Sequence, residues 1–241
     1  VETITIIAKH FANQRYLKFL DFFYNLCRLR GRKDLWVRDF YSTISMLFDR
    51  TRGKNISIIF HIDFSGLPFV SRPFLIFLEK FFLYRALKKT DYIVVASNYW
   101  KDLLVKKGCK NIYKIYCGFD LEKFNITDEE VSEFKKKNKL EGKPIIYLGN
   151  CQKAKGVVEA YDALKGLDAY LVTSNRKQVN IPALNFNLSY REYLMLLKAS
   201  SVAVTMSKFK EGWCRTTHEA MLCKTPVIGS GLGGMKELLE G

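Results

Sequence analysis

The stretch Ile145-Ile146-Tyr147-Leu148-Gly149-Asn150-Cys151-Gln152-Lys153-Ala154-Lys155-Gly156-Val157 decides how this chain folds. An unbroken apolar run reads as a buried strand at 145–148. A glycine-bounded, lysine-bearing loop follows, and from Val157 to residue 165 the apolar spacing becomes helical. Strand, loop and crossover helix form the unit from which parallel sheets are wound. The same alternation continues toward the C-terminus, with strands at 170–173, 202–205 and 227–228 and helices at 191–199, 217–223 and 235–240. Toward the N-terminus it predicts strands at 3–8, 34–40, 56–62, 92–96 and 112–116. The helices between them fall near 11–30, 41–49, 73–89 and 98–107, the last closed by Gly108. Residues 120–143 are polar and lysine-rich and mark a boundary, with Asn125-Ile-Thr-Asp-Glu-Glu130 opening a charged helix. The expected fold class is α/β, with two doubly wound, Rossmann-like domains facing across a cleft. They cover residues 1–120 and 144–241, joined by a linker at 121–143. In such sheets ligands bind at the carboxyl ends of strands, so the loops after strands are where chemistry is sought.

Composition agrees. The chain has 241 residues, 48% of them hydrophobic and 14% aromatic, enough to bury a core in one large domain or two small ones and too apolar for a disordered segment. No run of about 18 residues escapes charge, since Phe74–Leu78 meets Glu79 and Lys80, so no spanning helix is expected. The start Val1-Glu2-Thr3-Ile4-Thr5 lacks an initiator Met and the plan of a signal peptide, and reads as a fragment. Six cysteines form no CxxC pair, which indicates neither a disulfide framework nor a zinc site and fits a reducing cytoplasm. Cys214 has no His-Asp pattern beside it and is not read as a nucleophile.

Net charge is +15, and residues 1–120 hold 21 Lys and Arg against 10 Asp and Glu, together with 14 of the 18 phenylalanines. A basic, phenylalanine-rich half suits nucleic acid or an anionic membrane surface, and composition alone does not separate them. The phenylalanines fall in helical, core-like runs rather than interleaving with basic residues on an exposed sheet, so no nucleic-acid partner is expected. Phe22-Phe23-Tyr24 runs into Arg28, Arg30, Arg32 and Lys33, an apolar ridge beside a basic cluster that suits work on a lipid-linked acceptor at an anionic cytoplasmic surface; the alternative is core phenylalanines and solvated arginines.

Three segments carry candidate chemistry. In Gly149 to Gly156, a lysine in a strand-to-helix loop suits a phosphate; read alone, it also describes an ordinary exposed loop. In Glu211-Gly-Trp-Cys-Arg-Thr-Thr-His-Glu219, two carboxylates flank the start of a helix. Glu211 is expected in the loop and Glu219 on the first helical turn, where it either grips vicinal hydroxyls or completes a capping box with Thr216. Residues 229–234 contain four glycines, which implies backbone close to a ligand, and Gly233-Gly234 before a helix offers amides to an anion. His61, at a strand end beside Asp63, reads alone as a core histidine.

In this order, the segments resemble the retaining GT-B glycosyltransferases of the family 4 type over about residues 91–241. The match runs through 92–97 with Asn98-Tyr99-Trp100, Cys117-Gly118-Phe119-Asp120 with Phe124, Gly149 to Lys155-Gly156, Glu211-Gly212-Trp213 to Glu219-Ala220-Met221, Thr225-Pro226-Val227-Ile228, and Gly233-Gly234 to Glu237. The resemblance implies a nucleotide-diphosphate-sugar donor such as a UDP- or GDP-sugar, with no cofactor and no metal; no Asp-x-Asp suggests one. Glu219 would hold the ribose hydroxyls and Lys155 the diphosphate. Glu211 and the amides after it would hold the donor sugar, with His61 nearby. Gly149, Gly233 and Gly234 would approach the donor closely. Asn150 stands where the family usually has an arginine, and Lys153 is the candidate to supply that charge. Arg215 puts a cation where the family is neutral, a candidate for the phosphate. The family's first strand and glycine-rich loop and its last strand and crossing helix are missing, so the chain reads as truncated at both ends. The implied reaction moves a hexosyl group to an acceptor hydroxyl with retention of configuration, on a glycan or lipid-linked acceptor in the cytoplasm or at the inner membrane face. A GT-B-like epimerase or a non-catalytic nucleotide-sugar binder is the alternative.

Overall fold

In the computed structural model, which describes residues 15–66 and 72–240 and only the backbone of 15–20, the strands of each sheet pair in parallel. The strand expected at 3–8 and the head of the helix expected at 11–30 lie outside the described residues. The chain divides into two units, one of described residues 15–62 and 72–115, the other of 63–66 and 116–240.

The first unit opens with α1 (Arg15–Cys27) and has one sheet, β1 (Arg30–Arg38), β2 (Arg50–Ile59), β3 (Tyr92–Val95) and β4 (Ile112–Lys114), in that spatial order. The connections are α2 (Phe40–Ser45) from β1 to β2, α3 (Arg72–Leu78) running through a π-helical turn at Glu79–Leu83 into α4 (Tyr84–Leu87) from β2 to β3, and α5 (Asn98–Lys106) from β3 to β4. Asp39 starts α2 with a capping box: its carboxylate accepts from the Ser42 amide at 2.8 Å while the Ser42 hydroxyl accepts from the Asp39 amide. Ile44, Ile59, Leu83, Leu87, Ile93, Trp100 and Leu104 fill the core. Within it lies an ion pair, Arg38 to Asp49 at 2.8 Å, tolerable because Asn55, Ser42 and Thr51 accept three further guanidinium hydrogens. β1 and β2 begin earlier than the apolar pattern predicts, because their first residues are arginines paired across the ladder.

The second unit contains β5 (Ile145–Asn150), β6 (Tyr170–Ser174), β7 (Leu184–Phe186), β8 (Val202–Thr205) and β9 (Val227–Gly229), ordered β7-β6-β5-β8-β9. Its helices are α6 (Asp128–Lys137), α7 (Val157–Leu164), α8 (Tyr190–Ala199), α9 (Arg215–Leu222) and α10 (Gly234–Glu240). Side chains alternate across β5: Ile145 and Tyr147 pack with Phe134 of α6 and Leu194 and Leu197 of α8, while Ile146 and Leu148 pack with Val157 and Ala160 of α7. Helices therefore cover both faces of the sheet, and β5 is apolar throughout because neither face meets water.

Residues 121–143 do not behave as a linker. Ile126, Phe134 and Leu140 are buried in the α8 core, and Arg191 ties the segment down through Glu130 at 2.7 Å and the carbonyls of Lys123 and Asn125. The strand β7 is absent from the sequence expectation because three residues with Leu184 exposed leave no apolar run to detect. Chain order reverses between β5 and β8, and the helices that follow these two strands, α7 and α9, pack on opposite faces of the sheet, which leaves a crevice at the carboxyl ends of the two strands.

Candidate functional site

That crevice is built by one close backbone approach. Gly156 ends the β5 loop at φ +69°, and a Cβ there would lie 2.0 Å from the Met206 carbonyl oxygen after β8, so only glycine lets the two loops meet. Their contact sets Lys155 against the 207–211 loop. Lys155 Nζ donates to Glu211 Oε1 at 2.6 Å, and Ser207 Oγ donates to the same oxygen at 2.5 Å. The Lys155 ammonium also lies 4.8 Å from the Phe209 ring centre. Glu211 is only 6% exposed, and these two donors satisfy its buried Oε1. Gly149, Asn150, Lys155, Ser207, Cys214 and Thr216 line a small, open concavity.

Three of the four glycines at 229–234 serve the chain itself, Gly231 alone facing open space. Gly233 has φ +65°, and a Cβ there would be 2.5 Å from the Glu211 carbonyl oxygen; the Gly234 amide donates to that oxygen at 2.8 Å. The expectation that the Gly234 amide is open to an anion is thus corrected: it fixes the backbone of Glu211. Gly229 is packed against Met235 and Leu239.

Glu219 is not a capping residue. α9 begins at Arg215, with Cys214 at the cap, which puts Glu219 in the second turn rather than the first. Its carboxylate, 5% exposed, accepts from Tyr193 Oη at 3.0 Å on one oxygen and from Tyr190 Oη at 3.3 Å and Arg215 Nη2 at 3.1 Å on the other. Burial pushes both tyrosine hydroxyls above their ordinary pKa, with the Glu219 charge adding to the effect, so they remain neutral donors. Tyr147, stacked edge-on to Tyr193, shares a 2.6 Å hydrogen bond with Ser174, which donates at 3.4 Å to Asn150 Oδ1; Asn175 Nδ2 donates to the same oxygen at 2.8 Å. The site thus contains Ser207, Tyr190 and Tyr193, which sequence reasoning missed: the tyrosines lie more than twenty residues from Glu219 in the chain, and a lone serine four residues before Glu211 belongs to no motif.

The other expected residues are placed as follows. Arg215 is mostly exposed and divides its guanidinium between Glu219 and the face of the Phe119 ring, 5.5 Å away. Lys153 is exposed and does not line the concavity. His61 belongs to the first unit and is exposed two residues past β2, not a core residue. Cys214 is buried; burial and then the Glu211 charge raise its thiol pKa, which keeps it protonated. His218 accepts the Trp213 indole hydrogen on Nδ1 at 3.0 Å and packs edge-on to Phe119; burial lowers its pKa. Among the described residues no group of three His, Cys, Asp or Glu is placed to hold a metal ion, and no helix is long and apolar enough to cross a membrane.

No protein-family model matches the chain, and no curated protein matches its sequence. Its structure is similar to that of HepE from Anabaena in complex with UDP, with a TM-score of 0.68 at 16% identity over 95% of this chain and 68% of that one. Sucrose-phosphate synthase from Thermosynechococcus elongatus gives 0.67 at 18% identity, over 85% of this chain and 57% of the other. A glycosyltransferase from Rickettsia africae gives 0.61 at 19%, over 100% and 68%. The chain spans 59% of the length of HepE in its complex with UDP and glucose. These likenesses show the fold, the α/β class of the GT-B glycosyltransferases.

Proposed function

We propose that the chain is a retaining glycosyltransferase of the family 4 type, moving a hexosyl group from a nucleotide-diphosphate-sugar to an acceptor hydroxyl. The observation that carries this reading is the cluster of Lys155, Glu211 and Ser207 where the β5 and β8 loops meet, with Glu219 held one helix turn deeper. A nucleoside diphosphate laid across the strand ends brings its phosphates to Lys155, which then turns from Glu211 to the departing diphosphate as negative charge develops there. Glu211 and the amides that follow it hold the donor sugar, while Glu219, fixed by two phenols, accepts from the ribose hydroxyls. The anomeric carbon passes through an oxocarbenium-like state. The acceptor hydroxyl enters on the face the diphosphate leaves, which keeps the configuration; the protein contributes positioning and electrostatics. In this reading His61 keeps the role toward the donor sugar that the resemblance implies, and Arg215 orients Glu219 in place of contacting phosphate.

Solved neighbours include HepE with UDP-glucose and a trehalose-phosphate synthase from Burkholderia xenovorans with glucose-6-phosphate, which favours a UDP-sugar donor and a sugar acceptor. The acceptor class we assign is a glycan or lipid-linked intermediate at the cytoplasmic membrane face. A thermal-shift panel of UDP, GDP, ADP and CMP, followed by mass analysis of acceptor and free donor, tests the reading. A shift with one nucleoside diphosphate and sugar gained by the acceptor is expected. No shift with any of them refutes a donor site, and an altered free nucleotide-sugar without transfer makes the chain an epimerase.

A further inference from the structure

The first unit carries an array that donor binding does not use. β1 and β2 pair Arg30 with Arg50 and Arg32 with Arg52; a bulge then gives β1 one extra residue, after which Leu35 pairs with Lys54 and Val37 with Ile56. Strand side chains alternate between faces, so the four arginines share one face, and the bulge keeps Leu35, Val37 and Lys54 on it. The bulge is specified by the backbone: Gly53 sits at φ +126°, where a Cβ would lie 1.8 Å from the Lys33 carbonyl oxygen. The opposite face turns inward with Trp36, Arg38 and Ser57. Arg30, Arg32, Arg50, Arg52 and Lys54 are all exposed, and their side chains have no hydrogen-bond or ion-pair partner among the described residues.

Strand spacing of about 4.8 Å and a two-residue rise of about 6.7 Å set these guanidiniums out as a flat lattice. Like charges directly opposite in a ladder destabilise it, so the array is a liability that a facing anion relieves. Leu35 and Val37, 46% and 62% exposed, continue the same face as an aliphatic strip. We propose that this face docks the protein on an anionic lipid surface, the arginines meeting headgroup phosphates and the two aliphatic side chains entering the interface. The flat, open array fits an extended anionic plane rather than one enclosed phosphate. The residues that continue the arginine strands, Leu35 and Val37, are aliphatic, and the tyrosines on the same sheet face, Tyr92 and the exposed Tyr113, lie on β3 and β4 and suit the wet boundary of a headgroup layer; single-stranded nucleic acid calls for aromatic stacking platforms among the basic residues themselves. The sequence suggested Arg30 and Arg32 beside Phe22-Phe23-Tyr24; the strand register instead joins them to Arg50 and Arg52, twenty residues away.

Co-sedimentation of the chain with vesicles of phosphatidylglycerol in phosphatidylcholine, or of phosphatidylcholine alone, tests this. Each basic residue near such a surface is worth about fivefold in partitioning, so changing all four arginines to serine predicts a loss of about 600-fold, and R50S/R52S alone about 25-fold. Binding should need the anionic lipid, weaken with salt, and survive in the variant with four lysines, because a surface reads charge rather than guanidinium geometry. The serine variant should melt no lower than the parent; if it fails to fold, the double variant decides. No binding to anionic vesicles at low salt, equal binding by the double variant, or preferential binding of a single-stranded oligonucleotide overturns the proposal. The donor site is tested separately by nucleotide binding, so either proposal can fail without the other.

Discussion

Replacing Lys155 with methionine separates a structural from a catalytic role for the cluster at the β5 and β8 loops. In the free protein its ammonium is 2.6 Å from a Glu211 carboxylate whose side chain is 8% exposed, while Lys155 itself is 27% exposed. Breaking a fully buried pair by removing one partner costs about 3–5 kcal/mol, whereas a surface pair is worth about 0–1. With Lys155 between these limits and Ser207 still donating to Glu211, a loss of about 2 kcal/mol in urea denaturation is expected. Adding Glu211→Gln should restore part of it, since the uncompensated charge is then gone. Binding gives the second readout. A charge-assisted hydrogen bond to phosphate is worth about 1.5–3 kcal/mol, so calorimetry should find affinity for the nucleoside diphosphate reduced about 10- to 160-fold. Affinity for the parent nucleoside should barely change. Equal losses for both ligands, or full destabilisation with unchanged diphosphate affinity, would show that Lys155 only neutralises Glu211.

Glu219→Gln keeps the side-chain shape but loses the charge that Tyr190, Tyr193 and Arg215 share, so nucleoside binding should weaken by about tenfold while the melting temperature moves little; unchanged nucleoside affinity removes Glu219 from the ribose. Gly156→Ala meets the Met206 carbonyl at 2.0 Å and a left-handed backbone, and should cost more than about 2 kcal/mol while also weakening diphosphate binding through the displaced Lys155; a neutral effect on both would show that the loops need not touch. His218 has its folded-state pKa lowered by burial below the unfolded value near 6.5, so below that pH the unfolded chain binds the extra proton and stability falls on acidification. In His218→Asn this contribution should vanish, and an NMR titration midpoint for His218 at or above 6.5 would refute it.

What was legible follows from burial. β5, β6 and β8 are visible as unbroken apolar runs because helices cover both faces of the sheet, and the loop from Gly149 to Gly156 is visible because glycine and lysine punctuate it. The glycines at 229–234 were visible too, but their purpose was not. A missing Cβ makes room equally for a ligand or for another part of the chain, and here Gly233 makes room for the Glu211 backbone. The starts of β1 and β2 were hidden because arginines carry no apolar period. Their common face exists only through a register linking residues twenty apart.

Glu219 shows the same limit in its sharpest form. Thr216-Thr217-His218-Glu219 satisfies every local condition of a capping box, yet the helix starts before it. Thr217 is fully buried and shares a 2.8 Å hydrogen bond with Thr205 at the end of β8, which holds residue 217 inside the helix and pushes the helix start back to Arg215. Once Glu219 lies in the second turn it can no longer reach the cap, and its carboxylate meets the two tyrosines of α8 instead. The acids of this site are thus announced by their own motif, but the groups that aim them, Thr205, Tyr193, Ser207 and Gly156, are supplied by the sheet and its neighbouring helices. A variant that keeps both glutamates and loses Tyr193 or Gly156 would preserve the motif and disorganise the site.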